Sequence, residues 1–540
     1  MNVWQAYERQ PLTHPTIPYI ASAGYRLGAT PPDLVAGVNV LDFGASAEGR
    51  HDSADAINRA ITSVGASGGG VVHIPEGRYV VDDLIRVSHS NVVVKGAGSG
   101  RTTLVCRTPL EELVGVSGSR FGGEKSAWSW SGGLVWVCSS PRLDRILDNI
   151  RRGSWPREGW LDRVEEFPEL LGSVTVPARR GDFTVTVDSS GALHAGQRAI
   201  MLWDDGGTFA LLRHMCGDIA GAESYPWHRM RKLLSYLPYA WPVRIDRVEG
   251  DRVLLRQPLP LDVDTGWKVR LVAAEDPICE AGVEGLTMEL PAARMTEHLR
   301  DRGFNGIAFQ CAWDCWCRDI VIKGGENGLL LVSSKGVTVS DTQIVGANRH
   351  HSYVCREQSH DNLFSDFRIT RAGESDEECR FHHGINVEGL SSGNVWRRGR
   401  MQAGAFDSHR GLPFANVRTR IEIHNDGWMS GSRDAGPRYG ARFVHWNISV
   451  TNGHAKGIRI DRSAPYSTTA EISGLHADGE PESDFEGDLA AVYEPPGPGG
   501  GTVPDLYDAQ RGLIAGCAPG DRGTLAKKAT LPFDSDHGQE

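Results

Sequence analysis

What this chain lacks narrows its class before any motif is read. No stretch approaches the roughly 20 consecutive apolar residues of a membrane span, so no membrane partner is expected. Residues Met1 to Tyr25 lack a basic start followed by an apolar core, so an ordinary secretion signal is not expected either. Excess basic charge is also missing. The net charge is −11, which argues against nucleic acid as a partner. Cysteine is sparse and scattered, with 10 in 540 residues. Cys311, Cys315 and Cys317 share the segment Cys-Ala-Trp-Asp-Cys-Trp-Cys. A metal reading exists for it, but three small hydrophobes turned into a core is the simpler one. Free thiols without an export signal point to a reducing cytoplasm.

What the chain does have is a repeat. Residues 305 to 460 carry one short phrase, a polar residue, a small residue and then an alternating strand. It reads Asn305-Gly306-Ile307, Asn327-Gly328-Leu329, His351-Ser352-Tyr353, His383-Gly384-Ile385, Arg410-Gly411-Leu412, Tyr439-Gly440-Ala441 and Lys456-Gly457-Ile458. The lead residues are 22, 24, 32, 27, 29 and 17 apart, one turn of a solenoid per repeat. Stacked turns lie about 4.8 Å apart, so His351, His383 and Arg410 are expected on one line. A second phrase keeps step from Cys317 through Val339, Phe364, Trp396 and Arg418 to His445. Asn362, Asn394 and Asn416 precede three of its strands and predict an amide ladder at a corner. Between Arg349 and Arg462 there are 17 Lys/Arg against 13 Asp/Glu, with nine of the 19 histidines. A locally basic, His-rich stretch in an acidic molecule suits an anionic small or polymeric ligand.

The opening is more specific. Asp42-Phe43-Gly44-Ala45 leads into a helix that sets Ile57, Ala60, Ile61 and Val64 on one face. Gly68-Gly69-Gly70 ends it, and Ile74-Pro75-Glu76-Gly77-Arg78-Tyr79 returns as a strand. Over about sixty residues this resembles the opening of the pectate-lyase-like superfamily, with Glu48-Gly49-Arg50-His51 departing from the usual acidic-Gly loop. The resemblance implies an all-β fold, a right-handed parallel β-helix whose N-terminal helix caps the exposed end of the coil. The chain then divides into an N-terminal arm (1–36), the start of the coil (37–106), an inserted Trp-rich β domain (107–275), the main coil (276–482) and a loosely held Pro/Gly-rich tail (483–540). The insert holds nine of the fifteen tryptophans.

Chemistry is expected where the His-rich turns stack. His350-His351 and His382-His383 recur at matching places, and clustered imidazoles depress one another's proton affinity. Phe406-Asp407-Ser408-His409-Arg410 follows one coil on. An Asp two residues from a His can orient the ring of a general base. The segment resembles the Asp-Pro-His motif of β-helical mannuronan C5-epimerases, with Ser408 for proline, and the resemblance implies that Asp407 and His409 are catalytic. Arg459-Ile460-Asp461 resembles the Arg-Ile-Lys strand of polygalacturonases, with Asp461 for Lys. The paired aspartates of that hydrolase family are missing from the earlier coils.

The expected function is a lyase, ahead of a C5-epimerase, acting on a uronate-containing glycan by proton abstraction at C5. His383, Asp407, His409 and Arg410 form the expected catalytic set. His351, His382, Tyr439, Arg442 and Arg459 are the expected substrate contacts. In that scheme His409 or His383 takes the proton, Arg410 with Arg442 neutralises the substrate carboxylate, and Tyr439 or His351 protonates the leaving oxygen. No acidic cluster resembles a pectate-lyase calcium site, so no metal or other cofactor is expected. Two alternatives stay open, a glycoside hydrolase or transferase, which needs a free carboxyl pair, and a non-catalytic glycan-binding coil.

Overall fold

The computed structural model describes residues 3–35, 37–116, 126–153, 159–161, 168–219, 221–292, 299–346, 350–379, 382–424, 431–451, 468–470, 492–494 and 503–515. Its body is a parallel coil. Strands Trp316–Lys323, Thr338–Val345, Leu363–Thr370, Val395–Met401, Val417–Ile423 and Val444–Val450 pair in parallel, one per turn. Cys317, Val339, Phe364, Trp396, Arg418 and His445 are register partners along this stack, as the second phrase predicts.

Each of these strands bends once at a left-handed residue: Asp319, Asp341, Asp366, Arg398, Arg420 and Asn447, with φ between 49° and 58°. Asp and Asn tolerate that conformation better than most residues because their short polar side chains bond locally. The bend divides one continuous strand between two faces of the coil. The opposite wall is a second parallel stack, Ile85–Val87, Val135–Val137, Asn305–Gln310, Asn327–Val332, His351–Arg356, Ile385–Val387 and Phe406–Asp407. Between the walls, single parallel bridges join Trp313, Lys335, His360, Ser392 and Phe414 from turn to turn.

Strand alternation sends Ile320, Ile322, Leu329, Leu331, Tyr353, Phe364, Phe367, Ile385, Trp396 and Phe406 inward to one continuous core. Each such side chain contributes roughly 1.5–3 kcal/mol by leaving water. Cys315 and Cys317 lie in that core as free thiols. The helix Ala54–Ala66 buries Ile57, Ala60, Ile61 and Val64 against the first turns. At the corner, the Asn362 amide donates to Asn394 Oδ1 at 2.8 Å and the Asn394 amide donates to Asn416 Oδ1 at 2.9 Å.

Two boundaries differ from the sequence expectation. The insert is narrower than 107–275, because Val135–Val137 is a strand of the coil wall and Ser140–Arg151 packs Leu143, Ile146, Leu147 and Ile150 into the coil core. What projects is a six-stranded antiparallel sheet from Leu170–Ser173 to Arg270–Ala273. Trp203 and Trp241 of this sheet, with Trp227 from a turn beside it, share a core with Leu390, Leu412 and Phe414 of the coil. Nor is the whole tail loosely held. Leu506–Ala515 is a helix whose Leu506 and Tyr507 pack with Trp4, Tyr7 and Ile17 of the arm against Val395, Val417 and Trp446. Arg397 pairs with Asp505 at 2.9 Å and fixes it there.

Asn394→Ala strips hydrogen-bond partners from buried groups on both neighbouring turns. It should cost roughly 2–3 kcal/mol, read as a lower urea midpoint. His360 and His445 supply a second test. Burial first, then the Lys335 ammonium for His360 and the Arg418 guanidinium for His445, hold both imidazoles well below the ordinary value of 6.5. Below that value the unfolded chain takes up protons that the folded chain refuses, so stability is lost as pH falls. Urea midpoints should drop between pH 6.5 and 5 and lose part of that slope in His360→Gln; a slope unchanged in the variant contradicts the assignment.

Candidate active site

Register decides which side chains meet. Tyr353 pairs with Ile385, and Ile385 pairs with Phe406. Two residues back along the same line, His351 meets His383, and their rings stack with centroids 4.7 Å apart and planes 25° apart. The third member of that line is Gly404, not Arg410, since Ala405 N–H donates to the His383 carbonyl. The phrase at Arg410-Gly411-Leu412 is instead a corner in which all three residues have positive φ. A polar-Gly-apolar triplet fits a corner as well as a strand start, and this one is offset by six residues.

Phe406 points inward, so alternation turns Asp407 outward into the imidazoles. Its carboxylate is wholly buried; Oδ2 lies 2.6 Å from His409 Nδ1 and 3.4 Å from both His351 Nε2 and His383 Nδ1. The His409 ring stands across the stacked pair, with centroids 5.0 Å from His351 and 4.8 Å from His383. His350 completes the group at 4.2 Å from His351 and 5.3 Å from His383, with Nδ1 3.4 Å from Asp301 Oδ2. His382 borders it, its Nε2 2.9 Å from the Ser352 hydroxyl.

The electrostatics follow from this crowding. Burial alone would raise the Asp407 carboxyl, but the His409 and His383 imidazoles overcome it and hold it well below the usual carboxylate range. Burial likewise opposes charge on His409, and the Asp407 carboxylate outweighs it, so His409 is raised. His351 is pushed well below the usual imidazole value by burial and then by His350. His350 is lowered chiefly by burial, and His382 is lowered to about 3 by burial and by His383. His409, raised, thus sits beside His350, His351 and His382, whose proton affinity burial depresses. His409 is also the most exposed ring of the four, with 11% of its side chain reaching solvent.

Beneath the cluster lies a network that sequence reasoning missed. Arg356, fully buried, donates to Glu388 at 2.7 Å, to Glu357 at 3.0 Å and to the Trp130 carbonyl at 2.7 Å. A signal existed, because Arg356 and Glu388 each lie five residues beyond a ladder histidine, His351 and His383. Asp301 carries no periodic signal at all. Asn386, which aligns with Asp407, accepts from the His409 N–H at 3.1 Å.

Other expected residues lie elsewhere. Arg410 donates to the Gly436 carbonyl at 3.1 Å, towards the corner rather than along the histidine line. Tyr439 is on the inner side of the Phe406–Asp407 strand, in the coil core, where Arg418 donates to its hydroxyl at 3.3 Å. Arg418 also donates to the Asp407 carbonyl at 2.8 Å from within an aromatic cage of Phe406, Phe443, Trp396 and Tyr439. Arg442 lines a separate cavity with Arg180, Tyr19 and Asp361, and burial followed by the Arg180 charge lowers it to about 9. Arg459 falls outside the described residues.

Comparison with known proteins bears on the family. Residues 37–139 match the family model described as "Rhamnogalacturonase A/epimerase, pectate lyase-like". Alginate lyase 7 of Azotobacter vinelandii is 39% identical over 95 residues, 16% of this chain and 11% of that protein. Mannuronan C5-epimerase AlgE3 of the same organism is 36% identical over 132 residues, 23% of this chain and 7% of that protein. The chain thus spans about a tenth of the length of these curated relatives. Among solved structures, the tailspike protein gp49 from Pseudomonas phage LKA1 aligns over 81% of this chain and 62% of its own at 13% identity, with a TM-score of 0.45. The Azotobacter vinelandii mannuronan C-5 epimerase AlgE4 A-module aligns over 81% and 71% at 12% identity, with a TM-score of 0.32. The opening thus matches a pectate lyase-like family model over residues 37–139, and a parallel coil runs on from it.

Proposed function

We propose that the chain is an enzyme that removes the C5 proton of a uronate residue in an acidic glycan, with β-elimination favoured over epimerisation. The observation that carries this reading is the convergence of His351, His383 and His409 on the single carboxylate of Asp407. Curated relatives named alginate lyase and mannuronan C5-epimerase support the same substrate class.

A C5 proton lies next to a carboxylate and is weakly acidic, so its removal needs a positioned base. Asp407 bonds His409 at Nδ1, which directs Nε2 away and makes the ring a stronger proton acceptor. The C4–O bond then breaks with its electron pair on the leaving oxygen, which takes a proton from solvent, and the unsaturated uronate results; reprotonation of C5 from the other face instead yields the epimer. Hydrolysis is the weaker reading, because an inverting hydrolase needs two free carboxyls roughly 6.5–9.5 Å apart. Here Asp301 and Asp407 face imidazoles, and Glu388 is bound to Arg356.

Incubation with a panel of uronate polymers, alginate included, should raise the ultraviolet absorbance of the unsaturated product. His409→Ala should slow that rise about 100- to 10,000-fold at nearly unchanged melting temperature. New reducing ends without absorbance would instead point to hydrolysis and overturn the proposal.

A further inference from the structure

Turning four imidazoles towards one another inside a protein is costly unless something holds their nitrogens. Both ring nitrogens of His350 and of His351 are buried without a hydrogen-bond partner, and leaving buried polar groups unsatisfied is destabilising. Asp301 and Asp407 approach these rings at 3.4 Å without completing hydrogen bonds to them. A ladder of satisfied imidazoles is therefore not what the coil has built.

We propose that His350, His351, His383 and His409 form a binding site for one divalent transition-metal ion of the zinc type. One nitrogen from each ring lies within 4.8 Å of all the others. A tetrahedral ion with about 2.0–2.1 Å bonds to imidazole draws such a set together by small ring rotations. Four neutral nitrogen donors select zinc, cobalt, nickel or copper over calcium or magnesium, which prefer oxygen. Asp407, at 2.6 Å from His409 Nδ1, leaves Nε2 of that ring for the ion. A carboxylate behind a ligating imidazole is the usual outer shell of such a centre, and Asp301 stands in that place for His350. The sequence expectation of no metal rested on the absence of an acidic calcium-type cluster and did not weigh an imidazole site.

The ligands are not equivalent. His350, His351 and His383 are buried to 4% exposure or less, whereas His409 reaches solvent. Three buried rings suffice for a centre with one exchangeable position, and His409 is the ligand that yields it. With the ion seated, a positive charge stands opposite an incoming uronate carboxylate, the service expected of Arg410. That use in turnover rests on the reaction proposed above; the binding site does not.

The test uses the full chain without a histidine tag, stripped with chelator and then titrated with cobalt(II) and zinc(II). One ion per chain should survive gel filtration by elemental analysis, and the cobalt form should show intense visible bands of tetrahedral nitrogen ligation. His351→Gln with His383→Gln should abolish stoichiometric binding, and Asp407→Asn should weaken it about 10- to 100-fold, with circular dichroism checking that each variant folds. Failure of the unmutated chain to retain cobalt or zinc overturns the inference, as does undiminished binding in the double variant. If the ion binds and every uronate polymer stays intact, the metal site stands and the reaction reading falls.

Discussion

The parallel hydrogen-bond register between turns is the constraint from which everything else in this molecule follows. Tyr353 against Ile385 and Ile385 against Phe406 are main-chain pairings. They bring side chains separated by dozens of residues in sequence into one cluster. Because side chains alternate across a strand, a slip of one residue would send Asp407 inward and Phe406 outward. The inward residues oppose that slip, since Phe406, Ile385 and Tyr353 are fully buried in a continuous core. Hydrophobic burial thus sets the register, and the register assembles the polar site.

The inner and outer faces of the site strand are coupled through the same backbone. Arg418 holds the Asp407 carbonyl from inside the coil while three imidazoles crowd the Asp407 carboxylate from outside. The Arg356–Glu388–Glu357 group lies one step along on neighbouring turns. Buried charges of this kind are expensive and add little net stability over apolar packing. Their value is to hold polar atoms in fixed positions. A rigid shell around His409 is what proton transfer or metal ligation both require.

Much of this was legible in the amino-acid sequence, and the parts that were not have physical reasons. The stack from Cys317 to His445 could be read because one apolar pattern recurs at the same offset in every strand, and the asparagine ladder because its residues recur at one offset from it. The opening could be read because its Asp-Phe-Gly-Ala turn, helix face and Ile-Pro strand occur together. Arg410 was misplaced because glycine at a left-handed corner and glycine at a strand start look alike in sequence. The left-handed bends at Asp319, Asp341, Asp366, Arg398, Arg420 and Asn447 were not recognised, since half of them are not aspartate. Val135–Val137 was lost among the tryptophans of the presumed insert, being only three residues long. Asp301 reaches His350 from a loop with no repeat to announce it.

The central claim is that the third turn continues the histidine line through Gly404 and not through Arg410, and paired cysteines report on it directly. Neighbouring parallel residues lie about 4.8 Å apart, within the span of a disulfide. His351→Cys with His383→Cys should close a disulfide under mild oxidation, seen by mass spectrometry after digestion, and so should Asn386→Cys with Asp407→Cys, the register pair three residues beyond His383 and Gly404. His383→Cys with Arg410→Cys should stay reduced. Cross-linking of the Arg410 pair in preference to the Asn386–Asp407 pair would contradict the register on which the site depends.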